Sequence, residues 1–303
     1  MTAPGAQTSR AQRSLTLIRV DLDQSWRTAD SVAREEALQL MVDGIPLGIV
    51  MRTPGADVEL ALGLLHAEGV LHSLGEVAFV RFAASGQMSC PHGGTELRPD
   101  PNLENVVDVH LHRPLPREAL GWQRNLPSSS ACGICGAATL EAVLRFQAPV
   151  AGEGVWTRDR IVALPKSLRS YQAVFSRTGG LHAAGLLPFG KEDMEVAEDV
   201  GRHNAVDKLV GRALFEDRLP LTDSCLVVSG RAGFEIVQKA AAAQVSVIAA
   251  ISAPSSLAVQ TAEALGVTLI GFLRGHSFNI YTHPERIAGL DKGDSTGAAR
   301  SSL

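Results

Sequence analysis

Residues 224–251 read SCLVVSGRAGFEIVQKAAAAQVSVIAAI. The stretch 224–229 is a short apolar run that stops at Ser229-Gly230. Over 232–244 the apolar positions Ile236, Val237, Ala240 and Ala241 recur at helical spacing, and 246–251 is a second apolar run. Strand, helix and strand joined by short connections is the pattern of a parallel βα unit. The same alternation extends both ways. A helix is expected over 203–215, with Val206, Leu209, Val210 and Leu214 on one face; a helix over 254–265 and a strand over 267–273 follow. Upstream, LHAAGLLP and DMEVAEDV read as two strands joined by a turn containing Gly190, and KSLRSYQAVFSRTGG as a helix with a glycine stop. Residues 165–290 are therefore expected to form an α/β domain.

The first half has a different texture. Residues 1–14 are small and polar and read as a disordered tail, and a first strand is expected over Leu15–Val20. In ALQLMVDGIPLGIVM (37–51), Asp43-Gly44 separates two apolar runs, a hairpin signal that calls for positive φ at the turn. Val58, Ala61, Leu62 and Leu65 mark a helix that Gly69 stops. Strands are expected at 76–82 and 105–112, the second alternating Val107, Val109 and Leu111 with Asp108, His110 and His112. SGQMSCPHGGTELRPDPN reads as a long loop, and 113–136 as another. The expected layout is a β-rich domain over 15–126, a linker over 127–164, the α/β domain, and a second disordered tail at 291–303. The fold class is α+β in its first half and α/β in its second.

Composition bounds the function. A chain of 303 residues that is 45% hydrophobic can bury a large core divided between two domains. A net charge of -4 and a pI near 6.1 lack the basic footprint of a nucleic-acid binder. MTAPGAQTSRAQRS has no apolar signal core, and no run of eighteen uncharged apolar residues occurs, so a cytoplasmic protein without a membrane span is expected. Four cysteines are too few for a disulfide scaffold, and in a reducing compartment a close pair points to catalysis or metal binding.

That pair is Cys132 and Cys135, in SSSACGICG (128–136). As half of a zinc site it needs further ligands. His66-Ala67-Glu68 with the later CxxC mimics the zinc-deaminase signature, yet His66 lies near the end of its helix and Ser-Ala rather than Pro precedes Cys132. The element order of the second domain itself resembles the cytidine-deaminase fold, whose ligands would begin the helices at 203 and 232. The first start has His203, the second has no cysteine, and no metal site is expected there. Cys225 lies inside an apolar strand and reads as a small buried hydrophobe. A thioredoxin-like role is disfavoured because such a pair caps a helix, whereas this one ends a Ser-rich loop. Few side chains in 127–136 can pack, so this loop is expected to be mobile, with accessible thiols suited to accepting sulfur as a persulfide and delivering it elsewhere.

The second half adds a ligand edge. Three connections follow strands at the edge where open α/β sheets bind ligands: 199–205 (DVGRHNA), 229–233 (SGRAG) and 252–256 (SAPSS). They offer helix N-termini and backbone N–H groups, with Arg202 and Arg231 as forked donors beside His203, Ser229 and Gly230. Phe272-Leu273-Arg274-Gly275-His276-Ser277 leaves the last strand as a fourth wall. Together they suggest a phosphorylated ligand.

The pieces CGICG, TGGLHAAGL, EDVGRHNAVDKLVG, SGRAGFEIVQKA, ISAPSSLAV and FLRGHSFNIYTHPERI, in this order, make the chain resemble the formate dehydrogenase accessory sulfurtransferases, the FdhD/NarQ family, from Leu15 to about Leu290. The resemblance implies that a cysteine desulfurase loads sulfur on the CxxC loop. It implies transfer of that sulfur to a molybdenum or tungsten bis(molybdopterin guanine dinucleotide), Mo-bisMGD in the molybdenum form, before insertion into formate dehydrogenase. It further implies a homodimer and a deaminase-like domain lacking zinc. The two thiols are nearly equivalent on their residues alone, and the resemblance favours Cys132 as the persulfide carrier with Cys135 as partner thiol. GDP is then a fragment mimic of the cofactor. Two alternatives are a cofactor-binding chaperone whose thiols carry no sulfur, and a zinc-dependent hydrolase.

Overall fold

The computed structural model describes residues 10–83, 96–100, 105–113 and 147–290. Cys132, Cys135 and the loop expected to be mobile lie outside the described residues, as do most of residues 1–14 and all of 291–303.

The first half begins with an antiparallel ribbon of β1 (Gln12–Val20) and β2 (Ser25–Ala33). It continues through β3 (Glu36–Val42), β4 (Ile45–Arg52) and α1 (Asp57–Ala67) to β5 (Val77–Ala83), β6 (Glu96–Asp100) and β7 (Val106–Leu111). The expected hairpin is β3–β4, with φ of 50° at Asp43 and 76° at Gly44, and α1 is followed by Gly69 at 72°. Strands β3 to β7 form a five-stranded sheet ordered β4-β3-β7-β5-β6. The alternation in β7 sends Val107, Val109 and Leu111 into a core with Leu40, Leu62 and Leu65.

Three features depart from the sequence reading. The first strand starts at Gln12 rather than Leu15, and its partner β2 was not expected, because SWRTADSVA pairs only with β1 and carries no clean apolar alternation. The stretch read as one long loop holds β6, which pairs in parallel with β5 despite Pro99. Such a proline is tolerated at a sheet edge, where β6 lies.

The second half runs β8 (Trp156–Thr157), α2 (Arg158–Tyr171), α3 (Phe175–Thr178), β9 (His182–Pro188), β10 (Glu195–Asp199) and α4 (Arg202–Phe215). It continues with β11 (Ser224–Val228), α5 (Phe234–Ala242), β12 (Val247–Ala250), α6 (Ser256–Ala264), β13 (Thr268–Arg274), β14 (Ser277–Thr282) and β15 (Ile287–Ala288). The helix expected from Lys166 starts earlier, at Arg158. Pro165 lies within it, while the Thr157 hydroxyl accepts the Arg160 N–H as the N-cap.

Six strands form a sheet ordered β10-β9-β11-β12-β13-β14. β9 is antiparallel to both β10 and β11, and β11, β12 and β13 are parallel, so β10 to β13 all end at one edge. Helices α4, α5 and α6 pack on one face through Val206, Leu209, Ile236, Val237 and Ala258. On the other, α2 packs through Ile161, Leu164 and Leu168.

The two halves meet along α1 and α4. A Cβ on Gly63 would lie 2.0 Å from the Asp207 carbonyl oxygen, and one on Gly211 only 1.7 Å from that of Glu59. The helix backbones therefore touch where only glycine fits. Leu214 and Phe215 of α4 belong to the first sheet's core. Helix α4 is consequently buried on nearly every side from Asn204 to Gly211, a broader burial than the single apolar stripe expected. We expect Gly211→Ala to destabilise the protein by about 1–3 kcal/mol or more through overpacking. Gly75→Ala, where the nearest atom to the new Cβ lies at 3.7 Å, should change thermal unfolding little. Equal melting of the two variants would contradict this account of the helix contact.

Candidate functional site

The segment EDVGRHNAVDK folds around a buried carboxylate. Asp199 ends β10 with no exposure to solvent. Its Oδ1 accepts from the Gly201 N–H at 2.8 Å and the Asn204 side-chain amide at 2.9 Å; its Oδ2 accepts from the Thr53 N–H at 3.1 Å and Lys208 Nζ at 2.6 Å. Lys208 also donates to the Thr53 carbonyl at 2.8 Å, and Asn204 to that of Met51 at 2.8 Å. The start of α4 is thereby tied to the end of β4 in the first half. With Asn204 and Lys208 turned inward, Arg202 and His203 are only partly buried, at the common strand edge.

Four connections at that edge are laced together. The Ser229 N–H donates to the Ala183 carbonyl and the Ala183 N–H to the Ser229 hydroxyl oxygen, both at 2.9 Å. Ala232 bridges Pro254 in parallel, and the Ser255 N–H donates to the Ala232 carbonyl at 3.0 Å. The Phe272 N–H donates to the Ser252 carbonyl at 3.1 Å, and Arg274 Nε to that of Ile251 at 3.4 Å. A Cβ on Gly230 would lie 3.6 Å from Arg202 Cδ, bringing the start of α4 against the 229–233 connection. The edge is thus one continuous rim running from Arg202 to Arg274.

Its donors are left available. Helices α4 and α5 begin at Gly201 and Gly233, neither of which caps its helix with a side chain, whereas Ser255 caps α6 by accepting the Ala258 N–H. Arg202 Nε is buried without a hydrogen-bond partner among the described residues, and Arg231 is exposed. His203 Nε2 donates to Glu235 Oε2 at 2.8 Å, linking the first turns of α4 and α5, and this bond holds the Glu235 carboxyl below the usual range. Beneath them Lys239 donates to Asp207 at 2.7 Å and 3.0 Å; burial lowers the lysine's pKa, but the carboxylate outweighs it and the net shift is upward.

The rim gathers Arg202, His203, Ser229, Gly230 and Arg231. The last wall differs from expectation: Phe272, Leu273 and Arg274 are still in β13, Gly275 and His276 form the turn, and Ser277 opens β14, an unexpected strand. Phe272, Arg274, Gly275, His276 and Ser277 are exposed there, while Leu273 is buried in the core behind. His66 is buried at the end of α1, its Nδ1 2.8 Å from the Leu71 carbonyl and its Nε2 3.1 Å from that of Ala242, positions that serve packing between helices. Cys225 is fully buried and burial pushes its thiol upward, in keeping with a packing residue. Among the described residues, no three His, Cys, Asp or Glu side chains are grouped as metal ligands would be. Sequence reasoning missed Thr53, Asp199, Asn204 and Lys208 as the support of the rim; the charged residues within an otherwise apolar helix pattern were the available signal.

These features define the class: a mixed α/β protein of several sheets and six α-helices among the described residues, with a donor-rich strand edge. The sequence profile of the FdhD/NarQ family matches residues 33–288, and the chain belongs to that family. It is 42% identical to the sulfur carrier protein FdhD of Nocardia farcinica over 273 residues, 89% of this chain and 92% of that one. It is 46% identical to the protein of the same name from Mycolicibacterium paratuberculosis over 267 residues, 87% of this chain and 94% of that one. The Sulfolobus acidocaldarius protein of that name is 44% identical over 85% of this chain and 91% of its own. In fold, the chain is similar to the crystal structure of a protein from Desulfotalea psychrophila assigned as a formate dehydrogenase accessory protein. That likeness has a TM-score of 0.67 and 22% identity, covering 91% of this chain and 99% of that one.

Removing one partner of the buried pair at the base of the rim should be costly. Asp199→Asn or Lys208→Met is expected to lose about 3–5 kcal/mol in denaturant unfolding, because a buried charge is left uncompensated. An Asp199→Leu, Lys208→Met double variant should lose less than the sum of the two single losses. Losses under about 1 kcal/mol for both single variants would show that the pair does not hold α4 in place.

Proposed function

We propose that this protein is a sulfur carrier for formate dehydrogenase, with Cys132 taking sulfur as a persulfide and the rim holding the phosphate-bearing cofactor that receives it. The structural observation behind the cofactor-binding part of this reading is the rim itself: two glycine-started helix N-termini, an Arg202 Nε without a partner among the described residues and an exposed Arg231 on one laced edge. Such a concentration of donors suits a polyanion, which a chain of net charge -4 can hold only locally. The relatives' shared name, sulfur carrier protein, supports the rest.

In this reading the Cys132 thiolate attacks the outer sulfur of a cysteine desulfurase persulfide, forming a Cys132 persulfide and releasing the desulfurase thiolate. Delivery is balanced by the second thiol. Attack of Cys135 on the inner sulfur of the Cys132 persulfide expels hydrosulfide and leaves a Cys132–Cys135 disulfide, which a cellular dithiol then reduces. The cargo is a bis(molybdopterin guanine dinucleotide), whose phosphates would engage Arg202, Arg231 and the start of α5. The sheet order β10-β9-β11-β12-β13, with helices following β10, β11 and β12, supports a cytidine-deaminase-like second domain, which the packing of β8 and α2 on that sheet extends back from residue 165 to about Trp156, preceded by a β-rich first domain. In place of zinc ligands, the two helix starts carry the His203–Glu235 contact. A cytoplasmic homodimer acting as a sulfurtransferase, meeting both the desulfurase and formate dehydrogenase, completes the proposal. Among the described residues no helix is long and apolar enough to cross a membrane.

In cells lacking the native protein, Cys132→Ala should leave formate dehydrogenase inactive while the variant melts like the wild type, because the Ser- and Gly-rich sequence around Cys132 offers few side chains that can pack. Undiminished activation would rule out Cys132 as the carrier. GDP should bind the wild type, and Arg202→Ala and Arg231→Ala should each weaken binding about ten- to a hundredfold, the loss of a charge-assisted contact. Equal GDP affinity in all three proteins would place the phosphate site elsewhere.

A further inference from the structure

His182 opens β9 and is the cross-strand partner of Asp199, so it stands at the rim beside the start of α4. Its backbone is held by the paired bonds between Ala183 and Ser229. A Cβ on Gly230 would meet His182 Nδ1 at 3.4 Å and Arg202 Cδ at 3.6 Å, so the imidazole and the arginine stem flank the same glycine. The ring is partly buried, and no hydrogen bond to it is found among the described residues. A half-buried imidazole with no hydrogen bond among the described residues, beside a guanidinium whose Nε also has none there, is poised for an anionic ligand rather than for packing.

We propose that His182 is a ligand-contacting residue of the rim, its imidazole donating to a phosphate oxygen of the nucleotide bound between Arg202 and the 229–233 connection. The inference rests on the phosphate-site reading above and adds a proton to it. The charged groups acting on His182 are Arg202 and His203 of α4 and Asp199 at the end of β10; the 229–233 connection also carries Arg231, whose side chain is exposed. Burial first, then the Arg202 and His203 charges, hold its pKa below the ordinary histidine value, with Asp199 only partly opposing them. The ring is therefore neutral in the empty site at neutral pH. A phosphate dianion reverses the local field, favours the imidazolium and raises that pKa, so binding takes up a proton. The sign follows: affinity grows as pH falls through the pKa of the bound state and is lost above it.

The test is calorimetric titration of GDP into the full-length protein between about pH 8 and 6, repeated near neutrality in two buffers of different ionisation enthalpy to count protons. We expect the wild type to take up protons on binding and to tighten by about tenfold over that range. His182→Gln and His182→Asn should lose that uptake and retain only the shallower dependence of the nucleotide's own phosphate; two amides are used so that the test survives if one fails to fold. Equal proton uptake and equal pH dependence in the wild type and a folded amide variant would overturn the inference while leaving the phosphate site standing. Failure of GDP to bind the wild type at any pH would overturn both.

Discussion

A carboxylate with no access to water must be satisfied from within the protein, and Asp199 is satisfied by four donors drawn from three parts of the chain. Two come from α4, one from the connection that leads into it, and one from the strap after β4. Loss of any of these leaves a buried charge short of a partner, which is why the contact can fix a helix start rather than merely decorate it. Because Asn204 and Lys208 are consumed inward, Arg202 and His203 are what α4 presents at the strand edge. The same helix touches α1 through Gly63 and Gly211 and contributes Leu214 and Phe215 to the first core. One element therefore positions the rim and joins the two halves.

A phosphate role for the rim would meet an electrostatic constraint on an acidic protein. A chain of net charge -4 cannot draw in a polyanion by its overall field, so donors must be concentrated and kept free of internal partners. Glycine at the starts of α4 and α5 leaves their first-turn N–H groups uncapped by side chains, while neighbouring connections are fixed to each other by backbone bonds. Rigidity then comes largely from the backbone, and Arg202 Nε is left without a hydrogen-bond partner among the described residues. The His203–Glu235 contact joins the first turns of α4 and α5 across the edge.

Much of this was legible in the sequence, for definite reasons. The hairpin at Asp43-Gly44 and the alternation from 203 to 273 are set by local turn chemistry and periodicity, which the chain carries in short windows. β2 and β6 were not legible, because SWRTADSVA and ELRPD become strands through pairing with β1 and β5, a nonlocal cause. The helix α2, expected from Lys166, starts at Arg158 and holds Pro165 in its interior, a position proline seldom takes. The rim residues Arg202, Ser229, Gly230 and Arg231 could be proposed from their place after apolar runs. The inward role of Asp199 and Lys208 could not, because their partner Thr53 lies roughly 150 residues away in sequence.

The central claim is that the Cys132 thiol carries sulfur. The most direct measurement is the intact mass of the protein after incubation with a cysteine desulfurase and cysteine, followed by mapping of the modified peptide. The account predicts the mass of added sulfur, located on Cys132, removed by a thiol reductant and missing from the Cys132→Ala variant. An unchanged wild-type mass under conditions where the desulfurase itself is loaded would contradict it.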